Sequence, residues 1–367
     1  MALQSVGNQA NPRAEHPAPQ WRVIVDGKDM TAKVAPRLMS LSITECRADQ
    51  ADQLDIVLDD ADGRLQLPRR GVSIRVYLGW NGPRGLVDKG TFEVDEVEFS
   101  GPPDTITLRA RSADMGNALR TRATRSFHKT TIRAIVETVA KAHNLAPVVG
   151  TFGDMKIAHI DQTDESDLAF LTRIGKRYDA VATIKEGKLL FLPVGKGDTA
   201  SGKEMPTIDL TRRDGDRIRY HVADRDSYTG VRASWQDKGK ATRRHVLAGV
   251  IGNAKRLRQL YASEEDALEA ARAEWTRLQR GTATLQFDLA YGRPDLAPQT
   301  KVRFSAIKPV IDSTVWLLSR VTHKLDDSGL TTSAEGETID SRQKGDDDDQ
   351  DIDEDSPNPG DSDPGDD

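Results

Sequence analysis

Between residues 21 and 112, apolar side chains recur at every second position in short runs, and each run ends in residues that turn a chain. This period constrains the fold more than any other feature. Side chains alternate faces along a strand, whereas a helix needs apolar positions three or four apart. Residues 21–25 run from Trp21 into Asp26-Gly27, a pair suited to the positive φ angles of a two-residue hairpin. Further runs at 41–44, 53–58, 72–78, 91–99 and 105–110 are separated by Asp62-Gly63, Asn81-Gly82 and Gly101-Pro102-Pro103. Several such strands in succession predict an antiparallel barrel or sandwich.

The period changes after residue 112. Thr130 or Thr131 is placed to cap a helix with Ile132, Ile135, Val136 and Val139 on one face, ending near His143-Asn144. Residues 161–180 read as an acidic helix start running into an amphipathic helix. Thr163 and Asp164 are the capping candidates, with Glu165 and Asp167 in a first turn that favours negative charge. Leu168, Leu171 and Ile174, with Phe170 and Tyr178 beside them, make the apolar stripe, and Lys176 and Arg177 close the last turn. Strands at 181–185 and 188–192 flank Glu186-Gly187. A loop at 195–203 then leads to strands at 217–222, 229–235, 283–290, 301–306, 314–324 and 329–335. A helix at 263–280 opens at Ser263 with Asp266 three residues on, and carries Ala267, Leu268, Ala271, Trp275 and Leu278 on one side.

The expected architecture is therefore β-rich α+β. A flexible arm (1–20) precedes a barrel-like antiparallel β domain (21–112) and a small inserted α+β domain (113–200). A second barrel-like antiparallel region (201–338) contains the long packing helix, and a disordered acidic tail (339–367) follows. Two stretches echo one another. Val72-x-Ile74, Phe92-x-Val94-x-x-Val97 and Thr105-x-Thr107 align with Val302-x-Phe304, Trp316-x-Leu318-x-x-Val321 and Leu330-x-Thr332. The spacing of three flips strand faces unless a bulge intervenes, so a bulge is expected at the same place in both.

Charge is unevenly spread. The net −6 includes twelve acids and no base within residues 345–367, so the rest of the chain carries +6. Such a tail cannot bury enough apolar area to offset its chain entropy. Its Asp351-Asp353-Asp355 spacing resembles a calcium loop but lacks the turn glycine and the distal glutamate. The single cysteine, Cys46, excludes an internal disulfide framework, and no secretory signal or bilayer-length apolar run is seen. Seven histidines occur without metal-site spacing, and no nucleophile elbow or phosphate loop is found, so neither a metal nor a cofactor is implied. The pairs Asp59-Asp60 and Asp326-Asp327 lie at turns. The basic run Arg120, Arg122, Arg125 could contact phosphate, but no helix-turn-helix is read and aromatics are only 5%, so a solvated strand, a ring interface, a tube lumen or an acidic neighbour is favoured over direct DNA binding.

Residues 161–180 resemble the signature of the phage late control protein D family, whose members form the baseplate hub of contractile tails and are related to the hub part of type VI secretion spikes. Matching pieces run from residue 21 to about 337. They are residues 90–97, Gly101 to Asp104, Arg125 to His128, Gln279-Arg280-Gly281 and Gly292 to Leu296. The acidic tail departs from the family pattern. The resemblance implies a virion structural protein of the tail baseplate, assembled in the host cytoplasm. It implies a homotrimer that adapts a six-fold tube to a three-fold spike, with two similar barrels in each of three chains. Its expected partners are the spike, tube and tape-measure proteins and other baseplate proteins, with no direct nucleic acid and no membrane insertion. On this reading the chain is no enzyme, and Trp21, Phe92, Val94, Leu168, Leu171, Ile174, Trp316 and Leu318 serve packing and assembly. A tail-associated peptidoglycan hydrolase and a DNA-binding late-gene regulator are the alternatives.

Overall fold

A computed structural model describes residues 17–339, except 48–50, 83–84, 113–118, 120, 186, 196–206, 223–227, 238–241 and 281–282. The acidic tail, His16 and most of the expected arm lie outside the described residues.

The first array holds β1 (Pro19–Val25), β2 (Lys28–Asp29), the short helix α1 (Thr31–Val34), β3 (Leu38–Cys46), β4 (Gln53–Asp59), β5 (Ser73–Trp80), β6 (Leu86–Ser100) and β7 (Thr105–Ser112). β1 begins at Pro19, inside the expected arm. Asp26 (φ 46°) and Gly27 (φ 78°) make the turn into β2, both left-handed as such a hairpin requires.

An α+β unit follows: β8 (Arg122–Thr131), α2 (Ile132–Ala142), β9 (Ala146–Val149), β10 (Lys156–Ser166), α3 (Asp167–Tyr178), β11 (Ala180–Lys185) and β12 (Lys188–Pro193). Thr131 caps α2 by accepting from Ala134 N at 3.2 Å. The start of α3 differs from expectation. Residues up to Ser166 are taken into β10, which pairs with β8 across a bulge between Gln162 and Glu165. Asp164 sits in that bulge at φ 47°, and Ser166, not Thr163 or Asp164, caps the helix by accepting from Ala169 N at 3.2 Å. The cause is β8, a polar strand that gives these residues a ladder to join.

The remainder comprises β13 (Ile208–Thr211), β14 (Arg217–Val222), β15 (Gly230–Asp237), β16 (Thr242–Gly249), β17 (Ala254–Tyr261), α4 (Glu264–Arg280), β18 (Ala283–Leu289), β19 (Lys301–Ser305), α5 (Pro309–Asp312), β20 (Val315–Asp326) and β21 (Gly329–Thr338). Residues 201–338, expected as one region, carry two cores. β15, β16 and β17 form their own sheet, and Ala267, Ala270 and Ala271 of α4 let the helix approach it closely. The pairing is not uniformly antiparallel either, since β13–β19, β15–β17 and β9–β12 run parallel.

The large sheet contains one pattern twice. The first array is ordered β3-β4-β7-β6-β5-β1 and the second β14-β18-β21-β20-β19-β13, with the strands visited in the same chain order. The expected bulges stand at the same place, between Val94 and Glu96 on β6 and between Leu318 and Arg320 on β20. Just before them Phe92 and Trp316, each about 1% exposed, fill the two cores. The registers correct the sequence alignment. Ile74 lies opposite Phe92 and Val302 opposite Trp316, so the counterpart of Ile74 is Val302, not Phe304. Ser100 pairs with Thr105 and Lys324 with Thr331, so Thr105 answers to Thr331, not Leu330. Loops of unequal length make letter spacing a poor guide across a hairpin.

The arrays join edge to edge, residues 320–326 of β20 pairing with β3. The β20–β21 hairpin serves both cores. Trp316, Leu318, Val321 and Ala334 belong to the second, and Leu325 and Leu330 to the first. Trp316→Ala and Phe92→Ala are each expected to cost about 3–5 kcal/mol, because rigid neighbours collapse only partly into the space left. Urea unfolding monitored by circular dichroism checks this; a loss below about 1 kcal/mol at either position would contradict the packing described.

Candidate functional site

Among the described residues, most of the charged side chains that are buried lie at joints. Where the arrays meet, Glu45 of β3, Lys89 of β6 and His323 of β20 converge, all three buried. Lys89 Nζ lies 2.6 Å from Glu45 Oε2 and donates to Pro294 O at 3.1 Å. His323 Nε2 faces Leu296 O at 3.2 Å and Glu45 Oε2 at 3.3 Å, and Nδ1 faces Thr332 Oγ1 at 2.9 Å. Burial raises the Glu45 carboxyl, but hydrogen bonding from His323 and the Lys89 charge outweigh it and hold the group at about 2. At His323 burial prevails over Glu45 and pushes the imidazole below 6.5. The ring is therefore neutral at pH 7. Its partners assign Nε2 as the donor and Nδ1 as the acceptor from Thr332.

Residues 291–296 strap the arrays together. Trp80 of β5 stacks on Tyr291 at 4.3 Å and donates to Gly292 O at 2.8 Å. A Cβ on Gly292 would lie 2.7 Å from the Leu330 side chain and 2.8 Å from its carbonyl, so this close approach requires glycine.

Two further joints use the same chemistry. In the α+β unit, buried Asp167 accepts from Gln162 at 2.8 Å, meets His143 at 2.7 Å and pairs with Arg125. Burial raises its pKa, but these hydrogen bonds prevail and lower it. At the other joint, buried Arg280 at the end of α4 pairs with Asp179 after α3 and approaches Glu337 of β21 at 3.4 Å. Arg47 also reaches Glu337. Arg177 bonds Asp266 at 2.7 Å and lies over the rings of Tyr178 and Tyr261.

The side chains expected from sequence to serve packing and assembly divide among these cores. Phe92 and Val94 lie in the first, Trp316 and Leu318 in the second, Leu171 and Ile174 in that of the α+β unit. Trp21 and Leu168 are half-buried at the margins. Sequence reading missed Glu45, Lys89 and His323. The signal was available in strand parity, for Glu45 follows Leu41 and Ile43 on the inward face and His323 sits between Val321 and Leu325. It also missed the stacking of His128 on His159, 31 residues apart but directly opposed across β8 and β10. Among the described residues no group of three or more histidine, cysteine or acidic side chains is arranged to hold a metal ion. The acid pairs serve turns. Asp59 and Asp60 accept from Ala61 N and Leu65 N, and Asp326 accepts from Ser328 N, each at 2.9 Å.

The sequence profile of the phage tail baseplate hub (GPD) family matches residues 39–329. The chain belongs to that family. It is 42% identical over 362 residues to the "Probable baseplate hub protein" of Escherichia phage 186, covering 87% of this chain and 93% of that one. A tail protein from Neisseria meningitidis MC58 shares the fold, with a TM-score of 0.63 at 15% identity over 87% of this chain and 96% of that chain. An E. coli component of the type VI secretion system aligns with a TM-score of 0.50 at 14% identity over 83% and 74% of the two chains. Three of the sequence pieces that resemble the hub family supply joint contacts: Arg125 binds Asp167, Arg280 binds Asp179, and Gly292 to Leu296 form the strap.

The Glu45–Lys89–His323 joint makes the hub acid-sensitive with a defined sign. Both depressed groups favour the folded state above their ordinary values, 6.5 for His323 and 4.5 for Glu45, and that contribution is lost as pH falls. Unfolding midpoints should therefore decline below about pH 6.5, and more steeply from about 4.5 towards 2. His323→Gln should flatten the first part of this decline. Glu45→Gln should cost about 3–5 kcal/mol at pH 7 by leaving Lys89 buried without its counter-charge. Parallel pH slopes for wild type and His323→Gln would refute the assignment.

Proposed function

We propose that this protein is a homotrimeric hub at the distal end of a contractile tail, joining the tube and tape measure on one face to the central spike on the other. The observation that carries this reading is the repetition of one six-stranded order within a single chain. Each array, with its own core, acts as a barrel-like module. Three chains then present six similar modules around one axis while keeping three-fold identity. A ring built this way meets a six-fold tube through the modules and a three-fold spike through the features that differ between them. The inserted α+β unit, the β15–β17 sheet and α4 are such features, since the first array lacks their equivalent.

The work of such a protein is mechanical, and catalysis is not part of it. Hydrolysis by the acid pairs is disfavoured because these carboxylates are committed to turn backbone and neighbouring cations, and Asp326 is held at about 2 by Lys324 and Ser328. Direct binding of DNA is disfavoured because Arg122 pairs with Asp164 at 2.8 Å and Arg125 with buried Asp167, which removes two of the three cations of that run from phosphate. No described helix is long and apolar enough to cross a membrane, and none is needed.

Light scattering coupled to size exclusion should give about three times the 40.4 kDa chain mass, and electron microscopy with the spike protein of the same phage should show a three-fold complex. A strict monomer that ignores the spike would refute the reading.

A further inference from the structure

We infer that the trimer closes by strand addition. The open edge of β14 in one copy pairs with the outer half of β6 in the next, in the register that β3 uses on β20 within the chain. This rests on the trimeric reading above and adds the surface, the partner strand and the register.

The inference follows from the internal repetition. Within the chain, β3 covers the side of β20 facing away from β21, pairing Val321 with Glu45, Thr322 with Thr44 and His323 with Ile43. The counterpart of β20 is β6, and the counterpart of β3 is β14. Among the described residues both counterparts are open. β14 ends the sheet beyond β18, and among the described residues nothing pairs with residues 96–100 on the side away from β7. Loose edges of this kind invite pairing with another chain.

The side chains show what is missing. At the closed joint the inward residues Ile43 and His323 are 0% exposed. In the places of these residues the open edges carry Tyr220, 37% exposed, and Phe99, 53% exposed. Val222, in the place of Glu45, is 50% exposed. Strand parity aims all three towards a core; Tyr220 meets Trp316 edge-on at 6.0 Å, and all three keep a third or more of their surface exposed. Applying the register of the closed joint sets Phe99 opposite Tyr220 and Val97 opposite Val222, an aromatic pair and an aliphatic pair in place of His323–Ile43 and Val321–Glu45. On the outward face it sets Glu98 opposite His221 and Ser100 opposite Arg219. Charge contributes less than the apolar pairs: Asp95, Glu96 and Glu98 of β6 are paired within the chain to Arg111 and Arg109 of β7, while β14 carries Arg217, Arg219 and His221. The two edges are different surfaces, so the contact is head-to-tail and must close into a ring to leave no edge free. In that ring the two arrays alternate, and every module donates one strand edge and receives one.

Cross-linking tests this on the full chain. In a Cys46→Ser background, Glu98→Cys with His221→Cys occupies the positions equivalent to Thr322 and Thr44, whose hydroxyls lie 3.3 Å apart within the chain. Mild oxidation should convert most of the protein to a covalent ladder ending at three chains on non-reducing gels. Thr44→Cys with Thr322→Cys should cross-link within one chain and reports that the joint folds in the same background. Ser100→Cys with His221→Cys, two residues out of register, should cross-link at least tenfold less. A solution trimer without the Glu98–His221 cross-link would overturn the strand pairing and leave the hub reading standing. Equal cross-linking by the shifted pair would overturn the register, a ladder ending at two would overturn the ring, and a chain monomeric throughout would overturn both readings.

Discussion

The pairing of β3 with β20 is the constraint on which the rest of this structure depends. It turns two similar arrays into one continuous sheet, and it is policed by a buried charge. Pairing a carboxylate with an ammonium inside a protein roughly offsets the cost of drying them, so the Glu45–Lys89 contact adds little net stability by being present. Its effect lies in what it forbids. A one-residue slip of β3 along β20 would turn Glu45 to the outer face and leave Lys89 charged among apolar side chains. Backbone hydrogen bonds alone would tolerate that slip. The neutral His323 adds a second condition, since it must donate towards Leu296 O while accepting from Thr332. These conditions hold together only when the strap at 291–296, the β20–β21 hairpin and β3 are in place at once.

The same logic recurs at smaller scale, and it explains which parts of the fold were legible in the sequence. Strands of the first array declare themselves because their alternation is local: Leu54, Ile56 and Leu58 need no knowledge of what they pack against. The helix face of α2 is legible for the same reason, as is its Thr131 cap. β8, β16 and β17 were not, because their residues are largely polar and they become strands through partners distant in sequence. The start of α3 failed likewise. Thr163 and Asp164 are sound capping residues, but the β8 ladder competes for their backbone and wins, so the cap passes to Ser166. The joint residues were hidden in plain alternation. Lys89 and Glu45 read as surface charges until the β6 and β3 ladders place them face to face.

The two arrays also show how far one plan can diverge while its mechanical core is kept. β1 runs antiparallel to β5, whereas β13 runs parallel to β19. The segment between β14 and β18 carries a whole sheet and a helix, where the corresponding segment between β3 and β4 spans only residues 47–52. Insertions of this kind are tolerated at loops because closing a longer loop adds little entropic cost. The central hairpin does not vary in the same way. Both copies keep a large aromatic, an aliphatic two residues on, a bulge, and then an aliphatic on the inward face.

That conservation of geometry reaches a backbone clip at the mouth of each hairpin. Gly71 N donates to Val94 O at 2.7 Å and Val94 N to Val72 O at 3.0 Å; in the second array Gln299 N donates to Leu318 O at 2.8 Å and Leu318 N to Thr300 O at 3.0 Å. Both clip residues are left-handed, Gly71 at φ 85° and Gln299 at φ 72°. Glycine adopts this conformation freely, while glutamine does so at some cost. The compensation lies outside the array, where Gln299 Oε1 accepts from Gly195 N at 3.3 Å, just beyond β12. The strained residue thus ties the α+β unit to the second array. A glycine there would relax the backbone and release that tie, which accounts physically for two different residues answering one geometric demand.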